Sequence, residues 1–133
     1  MANFSGMGID LPFSASGDFG SYQFYFVKCA STSGRVDVAT GGSDPVPIGV
    51  VQNDPHSGDL ATVRVAGISK VYVSSSVAIS NGNLLTAGSA GAAEIVNSDG
   101  SAFCAIALED IPAGTGFIAA LLRPSTSVVS GTK

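Results

Sequence analysis

From Tyr22 onward, apolar and polar residues alternate in short runs, and each run ends at Gly, Pro, Asn, Asp or Ser. "YQFYFVKC" (22–29) is aromatic and β-branched. "GRVDVAT" (34–40) sets Val36 and Val38 against Arg35 and Asp37, and "VPIGVVQN" (46–53) follows the turn "GGSDP". "DLATVRVAG" (59–67) sets Ala61, Val63 and Val65 against Thr62 and Arg64. "ISKVYVS" (68–74), "NLLTAG" (83–88), "AAEIVN" (92–97), "AFCAIALED" (102–110) and "GFIAALLRP" (116–124) continue the pattern. A period of two, broken by turn residues about every ten positions, predicts an all-β fold, a small barrel or sandwich. Val63 and Ile106 are expected in its core. Helix is disfavoured by 17 glycines. The Gly-free run 68–81 is mostly Ser and β-branched residues, which are weak helix formers, so at most one short helical turn fits near Ser75–Ile79.

Two late strands do not alternate: Phe103 to Leu108 and Phe117 to Leu122 are apolar almost throughout. An antiparallel strand with one wet face should alternate, so these runs predict cover on both faces, supplied by other subunits. Residues 1–21 have no period, yet carry Phe4, Ile9, Leu11, Phe13 and Phe19 among small residues. A loose tail rarely holds so many large apolar groups. The segment reads as an extended N-terminal arm, docked either on its own barrel or on a neighbouring subunit, with those five residues as candidate contacts. A barrel domain then spans 22–124 and a polar tail 125–133.

An offset of 56 aligns residues 48–65 with the stretch from Cys104 onward. Asp54 meets Asp110, Gly58 meets Gly114, Val50 meets Ile106, Val63 meets Ala119 and Val65 meets Leu121. Upstream, "GRVDV" meets "GAAEI" after a slip of one residue. Two similar β units, about 34–66 and 91–123, are therefore expected. The alignment bears on the chain's single histidine, His56, which lies between Asp54 and Asp59 in "NDPHSGD". The second unit's turn, "DIPAGTG", keeps Asp, Pro and Gly, the residues a turn needs, and has no histidine. His56 with its two carboxylates is the best acid–base or metal set the chain offers. No further His and Cys ligands accompany it, and no nucleophile scaffold is present, so an exposed turn is the favoured reading.

Other chemical signals are weaker. Glu109 and Asp110 are neighbours on a strand and point to opposite faces, so they do not share a proton. "DFG" (18–20) lacks the other kinase signatures, and "NSDGS" (97–101) lacks the remaining ligands of a calcium loop. No enzyme, cofactor or metal is expected. Charged residues are 12% of the chain, about half the usual share. The net charge is −4 and the six basic residues are scattered, which argues against a nucleic-acid partner. No apolar run reaches the roughly 20 residues of a membrane helix, and the N-terminus lacks the pattern of a secretory signal. Cys29 and Cys104 lie in apolar runs and read as buried free thiols made in a reducing cytoplasm. A low-charge surface with doubly covered strands fits a protein whose working state is an assembly.

The ordered pattern "IGV", a turn ending in Gly, "ATVRVAGISKV", "NGNLLTAG", "AIALED" and "IAALLRP" resembles the capsid decoration, or cement, proteins of tailed bacteriophages. It covers residues 34–124, about two-thirds of the chain. The resemblance implies a β-tulip-like or β-clip-like barrel, often a homotrimer, on the outer face of the virion shell. There such proteins clamp neighbouring major capsid proteins, with an N-terminal arm reaching shell or sibling. It carries over no catalytic residue. The alternative is a soluble binding module for carbohydrate or another ligand, built on Tyr22, Tyr25 or Tyr72. A small enzyme built around His56 is the weakest reading.

Overall fold

A computed structural model describes residues 8–40, 47–88, 90–96 and 102–128. It is all-β among those residues. The strands are β1 (Gly8–Ala15), β2 (Phe26–Cys29), β3 (Arg35–Val38), β4 (Gly49–Val51), β5 (Leu60–Ser75), β6 (Leu84–Ala87), β7 (Ala93–Ile95), β8 (Ala102–Ala107) and β9 (Gly114–Val128). Each expected run supplies a strand, with one merger. "DLATVRVAG" and "ISKVYVS" form the single 16-residue strand β5. Gly67, at φ 96°, lies where β5 changes partner, pairing with β1 on one side of that point and β9 on the other. A positive φ there costs Gly little, so the strand bends without breaking.

The sheet order is β1-β3-β2-β4-β5-β7-β6-β8-β9, with extra pairings β1–β5 and β5–β9. The pairings close two five-stranded rings that share β5. In the first, β1 pairs parallel with β3, then β3–β2, β2–β4, β4–β5 and β5–β1 are antiparallel. In the second, β5 pairs parallel with β7 through Val73 and Ala93, then β7–β6, β6–β8, β8–β9 and β9–β5 are antiparallel. The order and senses are the same, ring for ring. Within this frame Val63 faces the first core, whereas Ile118 and Ala120, the neighbours of Ala119, face the second. The offset of 56 is therefore one residue out in the last strand, and a one-residue slip exchanges inside for outside.

Each ring encloses its own apolar cluster. Ala15, Phe19, Val27, Val36, Val51, Ala61 and Val63 fill the first. Val71, Val73, Leu85, Ala93, Ala105, Ala107, Ile118, Ala120 and Leu122 are among those that fill the second. Strands β2 and β4 serve both: Phe26 and Val50 pack into the second cluster while Val27 and Val51 pack into the first. That is why "VPIGVVQN" reads as continuously apolar. Gly49, between the two clusters, leaves no room for a Cβ. One added there would collide with the Arg64 carbonyl oxygen and stand 2.8 Å from Val63 Cγ1.

The late strands behave differently from expectation. In β9, Ile118, Ala119, Ala120 and Leu122 are buried, and Phe117 and Leu121 are exposed. In β8, a register shift between Phe103 and Ala105 buries Cys104 and Ala105 together, and Ile106 is only half-buried. Ala119 is buried without joining the second cluster, so the middle of the β9 run is covered on both faces within the chain itself, and only its outward positions Phe117 and Leu121 meet solvent. The boundaries move as well. β1 is a strand of the first ring and Phe19 is in its core, so the barrel takes in residues that the sequence pattern assigns to an arm. At the other end β9 runs through Val128, into the expected tail.

Candidate functional site

Phe24 joins the two rings. Its N–H donates to the Val51 carbonyl of β4 (2.8 Å), and its carbonyl accepts from the Tyr72 N–H of β5 (2.9 Å). Its φ is 70°, the only positive value at a non-glycine residue among those described. A bulky side chain in that region is strained, and here the flanking hydrogen bonds hold it. The consequence is an aromatic cluster at the seam. Tyr25 stacks on Tyr72 with centroids 4.6 Å apart. Tyr22 meets Tyr25 edge-on at 5.0 Å, and Phe117 meets Tyr72 at 5.4 Å and Phe24 at 6.1 Å. Lys70 places its ammonium 5.0 Å from the Phe24 centroid and 5.5 Å from that of Phe117, within cation–π range. Burial, then the neighbouring Tyr72 and Tyr22 phenols, raise the Tyr25 pKa, which keeps its hydroxyl protonated.

The rings form one wall of a cleft of about 320 Å³. Gly20, Ser21, Gln23 and Asp54 complete the lining. Phe117 is 48% exposed, an unusual position for so large a ring inside a strand. Asp54, exposed, has no hydrogen-bond or ion-pair partner among the described residues.

The second surface is an apolar row across four strands. Leu84 of β6 pairs with Ile106 of β8, Ile106 with Leu121 of β9, and Leu121 with Ile68 of β5. All four are half-buried or exposed.

Four of the five candidate contact residues are described, and they differ in burial. Phe4 lies outside the described residues. Ile9 is 60% exposed and Leu11 42%. Phe13 packs against the first core and Phe19 is fully buried in it. Periodicity could not separate them, because Ile9, Leu11 and Phe13 follow the same alternation while their exposure changes along β1.

His56 gathers neither Asp54 nor Asp59. Its Nδ1 lies 3.3 Å from Asp18 Oδ1, with both side chains exposed. Its carbonyl accepts from the Asp59 N–H (3.0 Å), and Gly58 at φ 85° completes the turn. Among the described residues no three His, Cys, Asp or Glu side chains converge on a metal position. Three carboxylates hold backbone. Glu109 accepts from the Ala119 N–H, Asp110 from Asn81, and Asp18 from Gly20 of "DFG". "NSDGS" lies outside the described residues. Of the two thiols, Cys104 is buried as expected and burial pushes it up to about 12, whereas Cys29 is exposed. Cys29 sits at the end of a short strand, where one face meets solvent.

No protein-family model matches the sequence, and no curated protein matches it. The fold does have a counterpart among solved structures. One is described as the head fiber gp8.5 N base in bacteriophage phi29. It is similar with a TM-score of 0.61 at 17% identity, over 91% of this chain and 98% of that chain. At that identity the likeness establishes a shared fold.

Proposed function

We propose that this chain is a structural protein of a phage head: a decoration or cement protein held on the outer surface of the shell. The observation that carries the proposal is the fold shared, over nearly the whole of both chains, with the base of a head fibre. The ordered pattern from "IGV" to "IAALLRP", resembling capsid decoration proteins, points the same way from sequence. In this reading the protein is a homotrimer that clamps neighbouring major capsid proteins. The row Leu84, Ile106, Leu121 and Ile68 offers an apolar subunit contact, since large apolar groups rarely line up on a monomer's surface without a partner. Exposed Ile9 and Leu11, with Phe4, offer a shell contact at the N-terminus. Each contact need only be modest. A subunit that bridges several capsid proteins gains avidity from the repetition of the lattice. The function calls for no catalytic group, cofactor or nucleic acid.

The test is addition of purified protein to expanded shells that lack it. Saturable binding in a fixed ratio to capsid protein is expected, with raised resistance of the shell to heat. Shells that neither bind the protein nor gain stability would end the proposal.

A further inference from the structure

The geometry points to a second role: the aromatic cleft at the ring seam is a binding site for a short, neutral, pyranose-based saccharide. The site is distinct from both contact surfaces proposed above and does not depend on them.

Three observations fix the chemistry. The first is the wall. Phe24, Tyr25, Tyr72 and Phe117 face a cleft of about 320 Å³, and Phe117 is 48% exposed within it. That volume is at the lower end of ligand sites, which span about 300–1,000 Å³, and suits one or two sugar units. Aromatic faces accept the C–H faces of a pyranose, while phenol hydroxyls reach its polar rim.

The second is the polar part of the lining. The Gln23 Nε2 donates to the Gln52 carbonyl (2.9 Å), which fixes the amide and leaves its oxygen as an acceptor. The Asp54 carboxylate is unpartnered among the described residues. Paired acceptors suit the vicinal hydroxyls of a sugar, which are donors. An apolar protein surface pressed into the cleft would bury that carboxylate unpaired, at high cost.

The third is charge. Asp54 repels an acidic ligand. Lys70 is outside the lining, but its ammonium lies 5.0 and 5.5 Å from the Phe24 and Phe117 rings of the wall and disfavours a cationic ligand there. A neutral, hydroxyl-rich ligand is what remains. The left-handed Phe24, held by hydrogen bonds to both rings, keeps the wall in place before a ligand arrives. Such strain concentrates where function needs a fixed geometry.

The chain has three tyrosines and no tryptophan. All three tyrosines, Tyr22, Tyr25 and Tyr72, belong to this cluster. Tyrosine emission of the intact protein therefore reports on this site alone. The experiment is a screen of the full chain against an array of neutral mono- to tetrasaccharides, followed by titration of a retained glycan by tyrosine emission. Saturable binding is expected, weakened at least tenfold by Phe117→Ala and by Asp54→Asn. Asp54 is exposed, so the melting temperature of its variant should hold; Phe117→Ala gives up ring contacts with Phe24 and Tyr72, so circular dichroism at the assay temperature should show it still folded. Shell binding by both variants should match the parent, which separates this site from the decoration role. No retained glycan, or equal affinity in the Asp54→Asn variant, would overturn the inference. So would loss of shell binding by Phe117→Ala without any glycan binding, because the cleft would then be a protein contact.

Discussion

Val63 and Ile106 look equivalent as apolar strand residues, yet they meet opposite environments. Val63 is fully buried in the first core, while Ile106 is half-buried on the outward row beside Leu84 and Leu121. An aspartate at 63 would bury an unpaired charge, a cost larger than a domain's typical stability margin of about 5–15 kcal/mol can absorb easily. Val63→Asp is expected to abolish the thermal unfolding transition followed by circular dichroism. Ile106→Asp is expected to fold, at a cost of about 1–2 kcal/mol. Equal damage from both would show that the outward row is core. Arg64 is, with Ser69, one of two buried polar side chains of β5. Its Nε and Nη2 hold the two Asp10 carboxylate oxygens at 2.7 and 3.1 Å, and its Nη1 donates to the Ile68 carbonyl at 3.0 Å. A forked pair of this kind fastens β1 to β5 with directional bonds.

The first strand shows how an element's role depends on its partners. Read as a Phe-rich arm, residues 2–20 are dispensable to the barrel. In the fold, β1 pairs with β5 from Gly8 to Ser14 and with β3 at Ser14 and Ala15, so it closes the first ring. Ala15 and Phe19 add side chains to that ring's core. Deleting residues 8–19 would open both ladders and leave backbone donors of β3 and β5 without partners. The expected outcome is loss of dispersed amide signals in a proton–nitrogen correlation spectrum. A native-like spectrum from the truncated chain would restore the arm. Ile9, Leu11, Phe13 and Ala15 do alternate in β1, but Gly, Ser and Pro around them mask the strand, and only Ala15 among them is fully buried. Two of them, Ile9 and Leu11, are exposed even in the fold.

At the scale of the molecule, β5 is common to both rings, and β2 and β4 each place one side chain in each core. Neither ring can lose its core without exposing part of the other's. The protein should therefore unfold as one unit, although it contains two clusters. Calorimetry is expected to give a single transition whose calorimetric and van 't Hoff enthalpies agree. Two resolved transitions, or a Leu85→Asp variant that keeps the first ring's slow amide exchange, would show the rings to be independent.

The sequence by itself determined the all-β class, the position of most strands, and the turn nature of "NDPHSGD". These depend on local period and turn chemistry, which neighbours in sequence control. The offset of 56 pairs β4 with β8, which hold equivalent places in the two rings, but the rings begin upstream of the expected units, at β1 and within β5. Tertiary structure decided the rest. Which face of β8 and β9 is inward depends on ring closure, because both faces are apolar in sequence. That β5 is one strand depends on its pairing with β1 up to Gly67 and with β9 from Gly67 onward. The aromatic cleft depends on Tyr22, Tyr25 and Tyr72, separated by up to fifty residues of chain, converging with Phe117 where the rings join. Periodicity carries no information about such a meeting, because it is fixed by long-range pairing and by the backbone strain at Phe24.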